Sequence, residues 1–190
     1  MNIFYLSRNP VEAAAMHCDK HCVKMLTEYA QMMSTAHRVL DGSAYEDRTS
    51  NGRKIMRYHH DDELLYKASH INHPSNVWLR ASSEHYGWLF VLWTALGLEY
   101  RRRYDDKNHG SFSRLYDSLC KPPMRIPHAG FTAPPQAMPD HCKIEGDAVR
   151  AYRYYYITEK AHFARWKNGK NYLDTWRHDK YNYLNNKEVA

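Results

Sequence analysis

The sequence predicts a mainly helical protein, on three observations. Apolar residues recur at helical spacing over long stretches, strand-like alternation is nearly absent, and prolines and glycines gather at segment boundaries. The 190 residues suffice to bury one core without disulfides or metals, so one domain is expected over 1–190. The expected architecture is all-α: three long helices, an extended amino-terminal arm, an ordered proline-rich loop at 121–140 and a basic, aromatic carboxyl-terminal segment at 165–185.

Each element follows from local composition. Asn2-Ile3-Phe4-Tyr5-Leu6 is β-prone and short, which suits a lone strand or an extended arm. Asn9-Pro10 opens a helix, since proline tolerates a first turn, and periodicity runs from about Val11 to Leu40, where Asp41-Gly42 stops it. Residues 43 to 72 are polar and broken, with a short helix expected near Asp61 to Ser69. A second long helix is expected from about Ser75 to Tyr104, with Trp78, Leu89, Leu92 and Leu96 in its buried stripe and Arg101-Arg102-Arg103 at its carboxyl end. A short helix is expected at Ser113 to Leu119. Six of the eight prolines fall in Lys121 to Asp140, which excludes regular structure there. The third long helix is expected from about Asp147 to Trp166, ended by Asn168-Gly169.

The bulk composition narrows the function classes. A net charge of +6 favours polyanionic partners. The 16 Tyr and 5 Trp against 5 Phe suit surfaces that stack and hydrogen-bond as well as cores. No stretch reaches the roughly 20 apolar residues of a membrane span, so no membrane partner is expected. Cys18, Cys22, Cys120 and Cys142 lack a metal-hairpin spacing, and with no signal peptide evident, reduced thiols in a cytoplasm are the expectation.

The first long helix carries the most specific chemistry. At ~100° per residue, His17, His21, Lys24, Glu28, Gln31 and Thr35 share one narrow stripe opposite Cys22, Leu26, Tyr29 and Met33. Three readings compete. The stripe is a solvated face; or His17, His21 and Glu28 ligate a metal; or Glu28 is a general base, His17 or His21 a proton carrier and Lys24 a phosphate anchor or amine nucleophile. Cys18 stands where a zinc protease needs Glu, and Glu84-His85 has the wrong spacing for a di-iron pair. The catalytic candidates are therefore Glu28, His17, His21 and Lys24, with no metal assigned and no cofactor implied.

Cations and rings interleave towards the carboxyl end. Arg153, Tyr154, Arg165, Trp166, Lys167, Trp176, Arg177, Lys180 and Tyr181 form the expected DNA-contacting set, because cations neutralise phosphates while rings stack on bases. Tyr152, Tyr156 and Phe163 fall at helical spacing and are expected in the core. His59-His60 and His109 read as surface residues, and His73 as a helix cap.

The strings His17-Cys-Asp-Lys-His21-Cys-Val-Lys-Met25, His73-Pro-Ser-Asn-Val-Trp78, Phe131-Thr-Ala-Pro-Pro-Gln-Ala-Met-Pro139 and Ala151-Tyr-Arg-Tyr-Tyr-Tyr-Ile-Thr-Glu-Lys160 resemble a phage-associated family. That resemblance implies a phage-infected host cell as the setting. In layout the chain also resembles the pyrimidine-dimer DNA glycosylases of the endonuclease V type, through the arm Met1 to Tyr5, the His17 to Glu28 face and the Trp166 to Tyr183 segment. What this implies is glycosylase and lyase chemistry, with an amino-terminal amine attacking the sugar C1′ and Glu28 managing proton transfers. The pattern departs from that family at position 2: the family exposes a small second residue after methionine removal, whereas Asn2 is expected to retain Met1, so the amine nucleophile is open between Met1 and Lys24, and absence of lyase activity is a further alternative. Modification of a pyrimidine base is a related outcome. The alternatives from other classes are a His/carboxylate metalloenzyme acting on a nucleotide or small molecule, and a non-catalytic phage DNA-binding protein.

Overall fold

The computed structural model describes residues 1–167 and 169–177, and the fold is mainly helical. Among the described residues up to 167, six α-helices occur in the order α1 (Pro10–Met16), α2 (Asp19–Leu40), α3 (Pro74–Arg80), α4 (Ser83–Arg103), α5 (Gly110–Leu119) and α6 (Ala148–Tyr155). A hairpin of β1 (Ser43–Arg48) and β2 (Lys54–His59) follows α2. Residues 172–177 are also helical. Among the described residues only α2 and α4 are long, at 22 and 21 residues, against the three long helices expected.

The first long helix is broken at His17 and Cys18, whose backbones are extended (ψ 128° and 162°). The break is held from outside. The buried Arg103 of α4 donates to the carbonyls of Ala15 (2.9 Å) and His17 (2.7 Å), which the end of α1 leaves unpaired, and also binds Asp19 (3.1 Å) and Glu99 (2.7 Å). The second long helix is likewise interrupted at Ala81 and Ser82. Ser82 caps α4 by accepting from the Glu84 amide (3.1 Å), and the Ser83 amide turns outward to the Pro127 carbonyl (2.8 Å). The third ends early: α6 stops at Tyr155 and continues as a π-helical turn, Tyr156–Lys160.

The core lies between α2 and α4. Cys22, Met25, Leu26, Tyr29 and Met33 meet Leu89, Leu92, Trp93 and Leu96, all wholly or almost wholly buried. The Trp93 indole donates to the Leu26 carbonyl across the interface (2.8 Å). Helix α5 comes so close that a Cβ on Gly97 would lie 2.8 Å from the Phe112 ring.

Residues 43 to 59, expected as broken polar chain, form an antiparallel ribbon with Ser43 opposite His59 and Arg48 opposite Lys54. The Asn51-Gly52 pair sits in its turn, Gly52 at φ 79°. Arg38 pins the ribbon and the following loop to α2 by donating to the Tyr58, Leu65 and Tyr66 carbonyls. The loop takes no helix at 61–69. The proline-rich segment is irregular, as expected, and anchored by buried Ile126 and Met138, whereas Met124 is 90% exposed.

Arg103 thus carries a charge balance that no apolar side chain replaces. Arg103→Met is expected to destabilise the protein by roughly 3–5 kcal/mol, because it strands two carbonyls and leaves the half-buried Glu99 with Arg102 and Asp19 with the Lys167 amide as their remaining partners. Urea unfolding at constant pH measures this; a change below about 1 kcal/mol would contradict it.

Candidate active site

The amino-terminal arm, without regular structure, lies against α2, and one hydroxyl aligns it. The Tyr29 hydroxyl accepts the Phe4 amide (3.1 Å) and lies 2.8 Å from His17 Nε2. His17 Nδ1 donates to the Ala13 carbonyl (2.7 Å), so in the neutral ring Nε2 accepts from Tyr29. Phe4 then stacks on His21 (centroids 4.2 Å apart), and Arg153 donates to the Leu6 carbonyl (2.8 Å).

This alignment brings the Met1 amine to 3.9 Å from Glu28 Oε2, while Lys24 Nζ lies 3.0 Å from Oε1. Two amines therefore share one carboxylate on the open side of α2. His73 belongs to the same group. Burial lowers its pKa, the charges of the Met1 amine and His70 lower it further, and Glu28 opposes them. His73 also caps α3, accepting the Ser75 amide (3.2 Å), as expected. Asn76 completes the floor: its amide group donates to the Ser69 and His70 carbonyls (3.1 and 2.9 Å) and lies 3.4 Å from Met1 Sδ. Its Oδ1 and the neighbouring Ser75 hydroxyl are buried with no protein partner. Lys20 and Lys160 extend the group on the α6 side, over the rings of Phe163 (5.0 Å) and Tyr155 (4.5 Å). Neither makes an ion pair among the described residues.

Of the four catalytic candidates, the structure unites Glu28 and Lys24 and sends the two histidines inward. His17 is fully buried and committed to Ala13 and Tyr29; His21 is 6% exposed, with Nδ1 on the Tyr156 hydroxyl. Burial pushes the His17 pKa down to about 4 and the His21 pKa to about 3.

The expected DNA-contacting set divides. Trp176 is a correction: it is 1% exposed, packed by Tyr156, Trp166 and Tyr172 and facing Arg153, because ring burial outweighs display at the surface. Arg153 holds the arm, and the half-buried Trp166 donates to the Met16 carbonyl (3.0 Å). Tyr154 is half-buried. Arg165, Lys167 and Arg177 are exposed; Lys167 lies over the Tyr104 ring and Arg177 pairs with Asp174 (3.6 Å). Lys180 and Tyr181 lie outside the described residues. Tyr152 and Tyr156 are fully buried, as expected, and Phe163 is half-buried.

No family model, curated protein or solved structure matches this chain. The geometry of the group carries the functional reading. Lys20, Asn76 and Lys160 escaped sequence reasoning. Asn76 had one signal, its place in the string His73-Pro-Ser-Asn, whereas the two lysines are brought together only by the contacts of Tyr156 and Phe163 with His21 of α2.

The inward histidines make stability pH-dependent. Unfolded, each protonates near pH 6.5; folded, His17 resists until about 4 and His21 until about 3. The unfolded state binds more protons in that interval, so stability is full above pH 6.5 and falls as pH drops through the window. The expected slope is up to about 1.4 kcal/mol per pH unit for each ring. Urea unfolding between pH 7 and 4 measures it, and His21→Phe should flatten the profile. An unchanged slope in that variant would contradict the assignment.

Proposed function

We propose that this chain is a DNA-acting enzyme of the glycosylase and lyase class, with an amine held against Glu28 as nucleophile and Glu28 as proton carrier. The observation that carries this reading is the Met1 amine 3.9 Å from Glu28 on the open side of α2. In the reaction the uncharged amine nitrogen bonds to the sugar C1′ and the base departs with the glycosidic electron pair, taking up a proton. The nitrogen gives a proton to the Glu28 carboxylate, which returns it to O4′ as the nitrogen lone pair breaks the sugar C1′–O4′ bond, leaving a protonated imine. The imine acidifies the C2′ hydrogen, whose loss expels the 3′ phosphate. Lys20 and Lys160 beside the rings of Phe163 and Tyr155 support a nucleic-acid substrate, since cations meet phosphates while rings stack bases. The resemblance to a phage-associated family makes an infected host cell the proposed setting.

Borohydride trapping on duplex DNA with an abasic site tests the reading. A covalent adduct is expected, its peptide carrying Met1. One residue added ahead of Met1 should abolish it by displacing the amine about 3.5 Å. Glu28→Gln is expected to slow strand cleavage by about 10²–10⁴-fold with little change in DNA affinity. An adduct on Lys24 would move the nucleophile to that residue, overturning the Met1 assignment. No adduct, or full activity in Glu28→Gln, would overturn the proposed chemistry.

A further inference from the structure

At the opposite end of α2, His37, Asp41 and His60 converge from the last helical turn, the helix cap and the loop after β2. One ligand atom of each lies within 4.8 Å of the others, in a recess also lined by His59, Asp61 and Lys121. The remaining contacts of His37 and Asp41 set these two up as ligands. The Tyr86 hydroxyl gives its proton to the Leu119 carbonyl (3.0 Å), so it accepts from His37 Nε2 (2.9 Å). His37 is therefore the Nε2–H tautomer, and its lone pair is on Nδ1. The Asp41 carboxylate is fixed by the Met124 and Arg125 amides (2.7 and 3.0 Å). His60, expected as a plain surface residue, is half-buried, and its Nδ1 accepts the Asp62 amide (3.0 Å). Ligation trades that hydrogen bond for a coordinate bond.

We propose that His37, Asp41 and His60 bind a divalent transition metal of the zinc class, leaving a position for water. Two imidazoles and a carboxylate suit Zn²⁺, whereas Mg²⁺ and Ca²⁺ take all-oxygen sets. An orienting acceptor on the far nitrogen of a ligating histidine is the outer contact such sites use, and Tyr86 supplies it. The three ligands belong to α2 and to the loop after the ribbon, so the ion ties these together, and through Asp41 it also holds the proline-rich segment. The site is distinct from the Glu28 group, about 14–20 Å away along α2 at 1.5 Å per residue. A second grouping, His141, Cys142 and Glu159, lacks these features: His141 is exposed and pairs with Glu159 (2.9 Å), and the Cys142 thiol meets the Thr158 hydroxyl (3.3 Å).

The test strips the full chain with a chelator, reloads it with Zn²⁺ or Co²⁺ and removes excess metal by gel filtration. One ion per chain is expected, with Co²⁺ absorption of a nitrogen and oxygen site and no thiolate charge-transfer band. His60→Ala and, independently, Asp41→Asn should lose the bound ion while keeping the wild-type circular dichroism. Tyr86→Phe, which removes the acceptor that orients His37, should weaken binding by about 10–100-fold. Substoichiometric retention by the wild type, or full retention in both ligand variants, would overturn the proposal. A thiolate band lost in Cys142→Ser would overturn it too, by moving the metal to the other grouping.

Discussion

The buried guanidinium of Arg103 is the contact on which the rest of the structure turns. By binding the carbonyls of Ala15 and His17 it ends α1, and by binding Asp19 it sets where α2 begins. That break rotates the His17 ring into the core, where it receives the Tyr29 proton while Tyr29 receives the Phe4 amide. One cation at the end of α4 therefore aligns an arm whose first residue lies some distance from it. Had α1 and α2 run on as one helix, His17 would lie on the stripe with Lys24 and Glu28, and nothing would seat Phe4.

The same relay makes the Glu28 group an unusual surface. Two amines face one carboxylate, with Lys20 and Lys160 on one side and His73 on another. Cations outnumber anions there. The lone carboxylate is 18% exposed, so its charge is screened less than that of a fully solvated residue. Below it, Asn76 Oδ1 and the Ser75 hydroxyl are buried acceptors without protein partners, in a structure that otherwise pairs its buried polar atoms with few exceptions.

Irregular segments are fastened by side chains reaching out from helices. His85 donates to the Trp78 carbonyl and accepts from Thr132, stacking on Trp78, so that α3, α4 and the proline-rich loop share one joint. Ser82 adds a hydrogen bond to the Ala129 carbonyl. Arg38 does the same for the ribbon and the loop after it. Gly42 permits that junction, because a Cβ there would collide with the His59 and Arg38 carbonyls.

Sequence alone determined the helical class, the apolar face of α2, the ordered proline-rich loop and the shared stripe of Lys24 and Glu28. These rest on interactions within a few residues or on side-chain period, which a linear string displays. It did not reveal the hairpin, whose exposed strands need no apolar alternation; its signal was the Asn51-Gly52 turn. Periodicity also passed through both helix breaks, because a break stabilised by Arg103 or by the Pro127 carbonyl leaves the local pattern intact. Only tertiary structure decided which polar residues of the first helix face outward. An imidazole is equally at home in water or bonded inside a core, and the choice for His17 and His21 fell to partners at Tyr29 and Tyr156, the latter 135 residues away.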